Sequence, residues 1–399
     1  MFEVDQLSFE ASAAGPFPKA CIRMAYEIRR YEAGFRDQVL ELQRHLWSPD
    51  LALNDRCFAW KYERNPWVSE PLILLAVDGR RVVGMRGAFA IPWVVGPERR
   101  ALKALSAGDT VVAPDHRRRG LASQINEALV AEARRASWEF LINTSAGRVV
   151  RRLSAHGGWR TTEEIWPLTR RPKGVAPRLW PPMAPRSSPF RAIAWLSHRS
   201  RRDLGLLDVL DRRLRREVRR RPGGVRISLT VCPERMAALA ASASTGGRIR
   251  LRKDVPFFRW RFSNPLSGYR FLFANEGAGP LTAYVAVQAH GPLHDTGLNL
   301  VDWEASSPEA LGVLLSTLVG AVGAERINTW PCEVDPTFHA AFSAAGFRPV
   351  PRPEPPSVLP AIMCLPLRDA SSDDAWSVDG VDLTRLEDWD LRMTASDFY

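Results

Sequence analysis

A short aromatic motif occurs twice in this chain, and the repetition restricts the folds open to it. The first copy, Phe58 to Tyr62, reads Phe-Ala-Trp-Lys-Tyr and precedes Asn65-Pro66; the second, Phe258 to Phe262, reads Phe-Arg-Trp-Arg-Phe and precedes Asn264-Pro265. Each copy is followed by an apolar strand candidate, a turn with glycine and a second strand candidate. Because a repeated motif within a repeated order of elements is typical of duplicated architectures, the sequence predicts two copies of one fold.

Length and composition agree with two packed domains. A chain of 399 residues exceeds one ordinary core and suits two domains of about 150 to 200 residues each. Hydrophobic residues make up 45% and charged residues 25%, which excludes collagen-like, disordered and membrane-embedded classes and favours an α/β or α+β protein. The five cysteines show no Cys-x-x-Cys spacing, which argues against zinc ribbons, redox dithiols and a disulfide framework. With no signal-peptide pattern and no apolar run of about 18 residues, we expect a cytoplasmic location.

One segment makes the protein basic. Residues Arg148 to Arg221 contain 20 basic and 6 acidic residues, whereas the whole chain has a formal net charge of +11. Within this segment, the predicted helix 203–221 has an apolar stripe along one face, and arginines occupy the rest of its surface. This helix could be a solvated face, a patch for an anionic substrate or a membrane surface, or a nucleic-acid site. Since no aromatic residue is interleaved with its cations, no nucleic-acid partner is expected, and weak surface association stays open.

Prolines and charge suggest the domain boundaries. Six prolines between Arg170 and Arg202 forbid long regular elements there. The predicted parts are an N-terminal extension (1–25), a first domain (26–172), a Pro/Arg-rich linker with the basic helix (173–222), a second domain (223–370) and an acidic tail (371–399). The tail could neutralise the basic helix internally.

The junction that carries chemistry lies in the first domain. A strand, Ala101 to Ala113, ends at Pro114, and Arg117-Arg118-Arg119-Gly120-Leu121-Ala122 then opens a helix predicted over 118–136. Small residues at Gly120 and Ala122 let main-chain N–H groups approach a ligand, and a helix N-terminus adds positive potential, so the turn suits a pyrophosphate. The alternative is tight packing of strand on helix with a solvated arginine face. A packing glycine does not require the proline and the basic triplet at the same junction, which favours the anion site.

Strand, proline and Arg-x-x-Gly-x-Ala at a helix start resemble the acyl-CoA signature of the GNAT N-acetyltransferase superfamily. The resemblance covers about Tyr26 to Arg171 and implies a mixed, mostly antiparallel sheet flanked by helices, here in tandem. It implies acetyl-CoA as co-substrate, no metal, and a strand before Pro114 that splays from its neighbour. The positions that it assigns to the cofactor are Val111, Val112, Ala113, Arg117, Arg118, Arg119, Gly120, Leu121, Ala122 and Asn143.

The candidate catalytic residues lie on the strand before Pro114 and near residue 155. Asp109 lies where an acceptor amine should meet the thioester, so we predict it as base or amine-orienting carboxylate; otherwise it only caps a turn at Gly108. Thr110 could orient substrate, and the resemblance implies the N–H of Val111 or Val112 as oxyanion donor. The family's usual tyrosine acid is replaced by Ser154, so Ser154 or His156 could protonate the leaving thiolate, or it leaves unassisted.

The second half departs from the signature. After the strand Leu298 to Trp303 comes an acidic turn, Glu304 to Glu309, without Arg-x-x-Gly-x-Ala. Because an acidic turn should repel pyrophosphate, the second copy is predicted to be degenerate and to wall the acceptor pocket.

Two other groups of residues have simpler explanations. His290 and His294 with Asp295 have a spacing that metals use, but a surface turn is favoured. Trp60, Tyr62, Trp260 and Phe262 are predicted to belong to the core and not to stack on substrate.

The sequence therefore predicts a tandem enzyme that transfers an acyl group, most often acetyl, from CoA to an amine of a small polar acceptor. The resemblance implies an amino sugar or a nucleotide-linked amino sugar as the first acceptor to consider. The alternative from another class is a non-catalytic acyl-CoA-binding or protein-interaction module.

Overall fold

The structure, a computed structural model, describes twelve stretches of the chain. They are 26–144, 151, 157–170, 208–220, 224–242, 248–275, 279–290, 297–322, 326–330, 336–350, 359–368 and 373–396.

The N-terminal half alternates strands and helices around one sheet. Its elements are β1 Glu27–Arg30, α1 Arg36–Gln43, α2 Leu51–Phe58, β2 Leu72–Asp78, β3 Arg81–Ala90, β4 Trp93–Val95, β5 Arg100–Leu102, β6 Ala104–Val112, α3 Leu121–Arg135, β7 Phe140–Asn143, β8 Arg160–Thr161 and β9 Leu168–Arg170. The Asp50 carboxylate caps α2 by accepting from the N–H groups of Ala52 and Leu53. A π-helical turn, Ala59–Glu63, continues α2 and carries the first aromatic motif.

The C-terminal half repeats this order. Its elements are α4 208–220, β10 Val225–Ser228, α5 Pro233–Ser242, β11 Ile249–Leu251, α6 Val255–Arg261, β12 Tyr269–Asn275, β13 Leu281–His290, β14 Gly297–Ala305, α7 Pro308–Val322, β15 Ile327–Thr329, α8 Pro336–Ala344, β16 Phe347–Pro349, β17 Met363–Pro366, β18 Ser377–Val378, β19 Val381–Asp382 and β20 Trp389–Asp390. Asp254 caps α6, the helix that carries the second motif, as Asp50 caps α2. The mixed α/β fold class predicted from the sequence is confirmed.

The two halves exchange their last strands. One seven-stranded sheet has the order β1-β2-β3-β6-β7-β17-β8, and the other has the order β10-β12-β13-β14-β15-β9-β16. Strand β17 of the second half thus lies between β7 and β8, and β9 of the first half lies between β15 and β16. Neither sheet is therefore complete without a strand from the other half.

The repeated motifs meet at the interface between the halves. The indole rings of Trp60 and Trp260 stack with centroids 5.0 Å apart and planes 12° apart. Each indole Nε1–H donates to the main-chain oxygen of the other tryptophan, at 2.8 and 2.9 Å. Such reciprocal contacts are those of an isologous, two-fold interface. The prediction that these tryptophans are buried is confirmed, and the repeat lies at an internal pseudo-two-fold axis.

This pair gives a stability prediction. Trp60→Phe removes one indole donor, while the Trp260 carbonyl keeps accepting from the hydroxyl and N–H of Ser263. We therefore expect a loss of about 0.5–1.5 kcal/mol in the free energy of unfolding, the net contribution of one hydrogen bond. Trp93→Phe is the matched control, because the buried Nε1 of Trp93 has no hydrogen-bond partner to lose. Denaturant unfolding of the two variants would contradict this account if they lost equal stability.

Three sequence-predicted elements differ in the structure. The second strand candidate after the first aromatic motif spans Arg81 to Val95 in the sequence, but the structure divides it into β3 and β4 around Pro92, whose missing N–H interrupts the ladder. The strand predicted from Ala101 is divided into β5 and β6 at Lys103. The acidic tail is also not a separate appendage: β20 pairs with β11, and Trp389 and Leu391 are buried. Among the described helices, none is long and apolar enough to cross a membrane.

Candidate active site

Strand β6 loses its pairing with β7 partway along its length. It pairs in parallel with β7 only from Ala104 to Ser106, although it continues to Val112. Where this pairing ends, the Asn143 side-chain amide donates to the Ala107 carbonyl at 2.8 Å. Strand β7 ends at Asn143, and no described strand pairs with the Gly108–Val112 stretch on that side. This stretch of β6 is therefore an open edge among the described residues, at the place where the resemblance implies a splay before Pro114.

The open edge leads to the N-terminus of α3. Arg118 and Gly120 have positive φ angles of 62° and 75°, and Gly120 is the N-cap of α3 without any side-chain cap hydrogen bond. The first amides of the helix are thus left for a ligand or for solvent. Glycine at this N-cap allows the left-handed backbone that turns these amides outward. This arrangement fits a pyrophosphate.

The three arginines of the loop differ in what they contact. Arg117 Nε donates to the Val112 carbonyl at 3.0 Å, and Arg119 donates to the Tyr26 hydroxyl and the Asp115 carbonyl. Arg118 is exposed. Two arginines therefore hold the loop to its surroundings. Of the other predicted cofactor residues, Leu121 is buried under the loop, while Ala122 lies in the first turn of α3.

Asp109 lies at a bulge where β6 faces β3. Met85 pairs with Val111 and Gly87 pairs with Gly108, so Asp109 and Thr110 together oppose Arg86. Asp109 has a φ of 48°, which is unusual for a residue with a side chain. Asp109 therefore lies inside β6 and does not begin a strand by capping a turn at Gly108, which was the simpler role that the sequence allowed.

The Asp109 carboxylate is buried and fully engaged. Lys61 Nζ and Trp47 Nε1 donate to one oxygen at 2.9 and 3.1 Å, and the Tyr62 hydroxyl donates to the other at 2.7 Å. The Lys61 and Asp109 side chains are only 3% and 2% exposed. A Cβ on Gly87 would lie 2.1 Å from the Tyr62 hydroxyl, so glycine is needed there for the tyrosine to reach the carboxylate. We call Asp109, Lys61, Tyr62 and Trp47 the bulge cluster.

On β3, Arg86 reaches the neighbouring residue. Its Nη1 donates to the Thr110 hydroxyl at 2.6 Å, while its buried Nε has no hydrogen-bond partner. The residue is 4% exposed, and no ion pair joins it to a carboxylate of the described residues. Burial lowers the pKa of Arg86 to about 10, against a smaller opposing effect of the Tyr62 phenol. It is still charged at neutral pH.

Sequence reasoning missed Lys61, Tyr62, Trp47 and Arg86 as site residues. One signal was available: lysine occurs only five times among 55 basic residues. Two of the five, Lys61 and Lys253, are buried against carboxylates. The predicted acids Ser154 and His156 lie outside the described residues.

The second copy is filled where the first is open. Strands β3 and β13 occupy the same place in the two halves, 200 residues apart like the two tryptophans, so Met85 corresponds to Val285. Since Met85 pairs with Val111 and Val285 pairs with Trp303, Val111 corresponds to Trp303. The Trp303 carbonyl accepts from Arg392 of the tail, and the tail turn Met393–Ala395 packs on β14. The N-terminus of α7 is satisfied by the Ser307 hydroxyl, which accepts from Ala310 N–H. These contacts agree with a degenerate copy.

One detail of the acidic-turn prediction is wrong. Glu304 lies in β14, not in the turn, and its buried carboxylate accepts from Arg250 and Lys253 at 2.6 and 2.9 Å. The tail's Asp390 contacts Arg250 and Arg392. These ion pairs hold the tail against the second half, so Asp390 pairs with Arg250 and Arg392 and not with the basic helix.

The cluster of charges around Glu304 predicts a dependence of stability on pH. Burial disfavours the charged form of Glu304, but Lys253, Arg250 and Arg392 outweigh it and hold the pKa below its ordinary value. A depressed folded-state pKa gives stability that is present above the unfolded value of about 4.3 and is lost as pH falls through the folded value. We expect Glu304→Gln to be less stable at pH 7 and to lose less stability on acidification than the parent protein. Melting temperatures measured from pH 7 to 3 test this, with the exposed-site variant Glu98→Gln as control. If the melting temperatures of Glu304→Gln and the parent protein fell in parallel with pH, the account would be wrong.

Among the described residues, no group of three or more His, Cys, Asp and Glu side chains is placed to hold a metal ion. His294 and Asp295, and the side chain of His290, lie outside the described part of the chain.

Residues 27–153 match the family model described as the acetyltransferase (GNAT) domain. The predicted resemblance to GNAT acetyltransferases is therefore confirmed over residues 27–153, and the predicted class of enzyme agrees with this match. Members of this family use acetyl-CoA. The sequence matches none of the curated proteins with which it was compared.

Solved structures share the fold across both halves. A probable N-acyltransferase from Enterococcus faecalis is 10% identical with a TM-score of 0.57, covering 86% of this chain and 73% of its own. GCN5-related N-acetyltransferases from Kribbella flavida and Anabaena variabilis are 15% and 9% identical, with TM-scores of 0.52 and 0.54. Each match covers 86% of this chain; it covers 72% of the Kribbella flavida chain and 73% of the Anabaena variabilis chain. At such low identity the likeness concerns the fold alone.

Proposed function

We propose that the protein transfers an acetyl group from acetyl-CoA to an amine of a small polar acceptor. The observation that carries the proposal is the open edge of β6 leading to the uncapped N-terminus of α3. The pyrophosphate would bind the amides of the loop Arg117 to Ala122, with exposed Arg118 beside them. The pantetheine would lie along Val111 to Ala113.

The chemistry needs few groups once the reactants are aligned. The amine nitrogen attacks the thioester carbonyl, the carbon–sulfur bond breaks, and the amine loses a proton while the thiolate gains one. A main-chain N–H of Val111 or Val112 would stabilise the oxyanion. The Thr110 hydroxyl accepts from Arg86, so its own hydrogen is available to a substrate. Ser154 or His156 is the proposed proton donor to sulfur.

We propose a positioning role for Asp109. Both of its oxygens are already engaged by Lys61, Tyr62 and Trp47, and its side chain is nearly inaccessible. A carboxylate held in this way suits fixing the bulge that aims Thr110 and Val111 at the proposed binding site. Direct proton abstraction by Asp109 would first require these contacts to break.

The second half would wall the acceptor pocket. The Thr144 hydroxyl, directly after β7, donates to the Ala395 carbonyl at 2.9 Å. Arg261 holds the same tail by donating to the carbonyls of Thr394 and Ser396. The tail therefore reaches the end of β7, beside the open edge of β6, which supports this role.

A non-catalytic acyl-CoA-binding module is the second candidate, favoured by serine at position 154 where the family has its usual tyrosine. Release of free CoA from acetyl-CoA, measured across a panel of amines that includes amino sugars, separates the two. We expect amine-dependent release and an N-acetylated product by mass spectrometry. Binding of acetyl-CoA with no product from any amine would contradict the enzymatic proposal and favour the module.

A further inference from the structure

A buried cation without a counter-ion lies beside the open end of β6. Arg86 has five N–H donors, yet the described residues accept only one hydrogen bond from it, through the neutral Thr110 hydroxyl. Its Nε is buried and unpartnered. A buried charge that nothing compensates costs folding free energy, so its presence needs a reason.

Other strongly buried cations of the chain are satisfied. Lys61 pairs with Asp109, Arg250 with Glu304, and Lys253 with Asp302. Arg261 donates to two carbonyls and a tyrosine hydroxyl. Arg86 differs from all of these, and it is the one on the strand that faces Thr110 in the open stretch of β6.

The second copy shows what is missing. Strand register places Asp302 where the first half has Thr110, and Ala286 where it has Arg86. Asp302 accepts from Tyr284 at 2.8 Å and pairs with Lys253. The degenerate half thus contains its own carboxylate at this position of the sheet, and the open half has instead a cation and a hydroxyl.

We propose that Arg86 and Thr110 form a subsite for a compact carboxylate carried by one of the two reactants of the transfer. The inference rests on the proposed function and specifies its substrate class. A carboxylate would accept from the guanidinium and from the Thr110 hydroxyl together, which completes the buried charge. The anionic group belongs either to the acceptor, as in an amino acid, or to the acyl chain, as in malonyl or succinyl thioesters.

Paired substrates distinguish these two sources. In one arm, acetyl-CoA is combined with amines and their carboxylated counterparts, such as ethanolamine with serine and tyramine with tyrosine. In the other, acetyl-CoA is compared with malonyl-CoA and succinyl-CoA. We expect a preference for the carboxylated member in one arm, and Arg86→Met should lower kcat/KM for that member by about 30-fold or more relative to its effect on the neutral counterpart, so that the preference is lost. Thr110→Val should reduce it less. No preference in either arm would overturn the inference.

A second readout does not depend on catalysis. Because Arg86→Met removes an uncompensated buried charge, its melting temperature should equal or exceed that of the parent protein, whereas Arg250→Met, which strips a partner from Glu304, should melt lower. Malonate and succinate should raise the melting temperature of the parent and not that of Arg86→Met. If acetyl-CoA fails to bind while these anions still stabilise the parent, the proposed function fails and the subsite stands. A lower melting temperature for Arg86→Met, with no anion effect on the parent, would make the arginine purely structural.

Discussion

Replacing Gly120 with glutamate is expected to weaken acetyl-CoA binding by more than about 100-fold, because a carboxylate would face the pyrophosphate at the N-terminus of α3. Gly120 has a φ of 75°, and a Cβ there would meet only the end of the Gln124 side chain, at 3.8 Å. The substitution therefore adds charge and backbone strain without a severe clash. Thermal-shift titration with acetyl-CoA measures the change.

Two control variants separate charge from strain. Gly120→Ala keeps the strain of a positive φ, which costs about 1–2 kcal/mol, and adds no charge, so it should bind more tightly than Gly120→Glu. Gly380→Glu places the same residue at a φ of 77° with open space around it, far along the chain in the tail. Equal loss of binding in Gly380→Glu, or none in Gly120→Glu, would place the coenzyme elsewhere.

Replacing Lys61 with methionine is expected to cost about 3–5 kcal/mol of unfolding free energy, because it leaves the buried Asp109 carboxylate without its counter-ion. The ammonium also lies 4.4 Å from the Trp47 ring centroid and 5.1 Å from that of Phe89, so an apolar replacement meets an aromatic surface of suitable character. Urea unfolding followed by fluorescence measures the loss.

The double variant Lys61→Met with Asp109→Asn tests the cause. Removing both charges should recover most of the stability, since the amide oxygen of asparagine can keep accepting from Trp47 while its NH2 group donates to the Tyr62 hydroxyl oxygen. Activity should not recover with stability if the carboxylate positions the bulge. A double variant as unstable as the single one would show that lysine packing, and not the ion pair, is responsible.

Features that depend on local sequence could be predicted. The junction of strand, Pro114 and the Gly120 turn predicted both the anion-ready helix and the family. The repeated motif predicted a duplication, because its aromatic pattern is written twice in the chain. Apolar periodicity predicted the helix that the structure shows over 208–220, with Leu210 and Leu214 buried.

Features that depend on contacts between residues distant in sequence could not be predicted. Strands β9 and β17 carry no mark that assigns them to the other half's sheet, since pairing partners are not encoded in a strand's own alternation. Lys61 meets Asp109 across 48 positions, and Glu304 looks like part of an acidic turn until Arg250 and Lys253 are brought to it. Arg86 is one arginine among fifty in the sequence, and only the structure shows that it is buried and pairs with no carboxylate of the described residues.

The central claim is that one half of a duplicated fold binds the coenzyme and the other does not. Calorimetric titration of the full chain with acetyl-CoA, combined with hydrogen exchange of the complex, tests it most directly. The account predicts one molecule bound per chain, with protection of the amides around Gly120 and none at the Ser307 start of α7. Two molecules per chain, or protection confined to the second half, would contradict it.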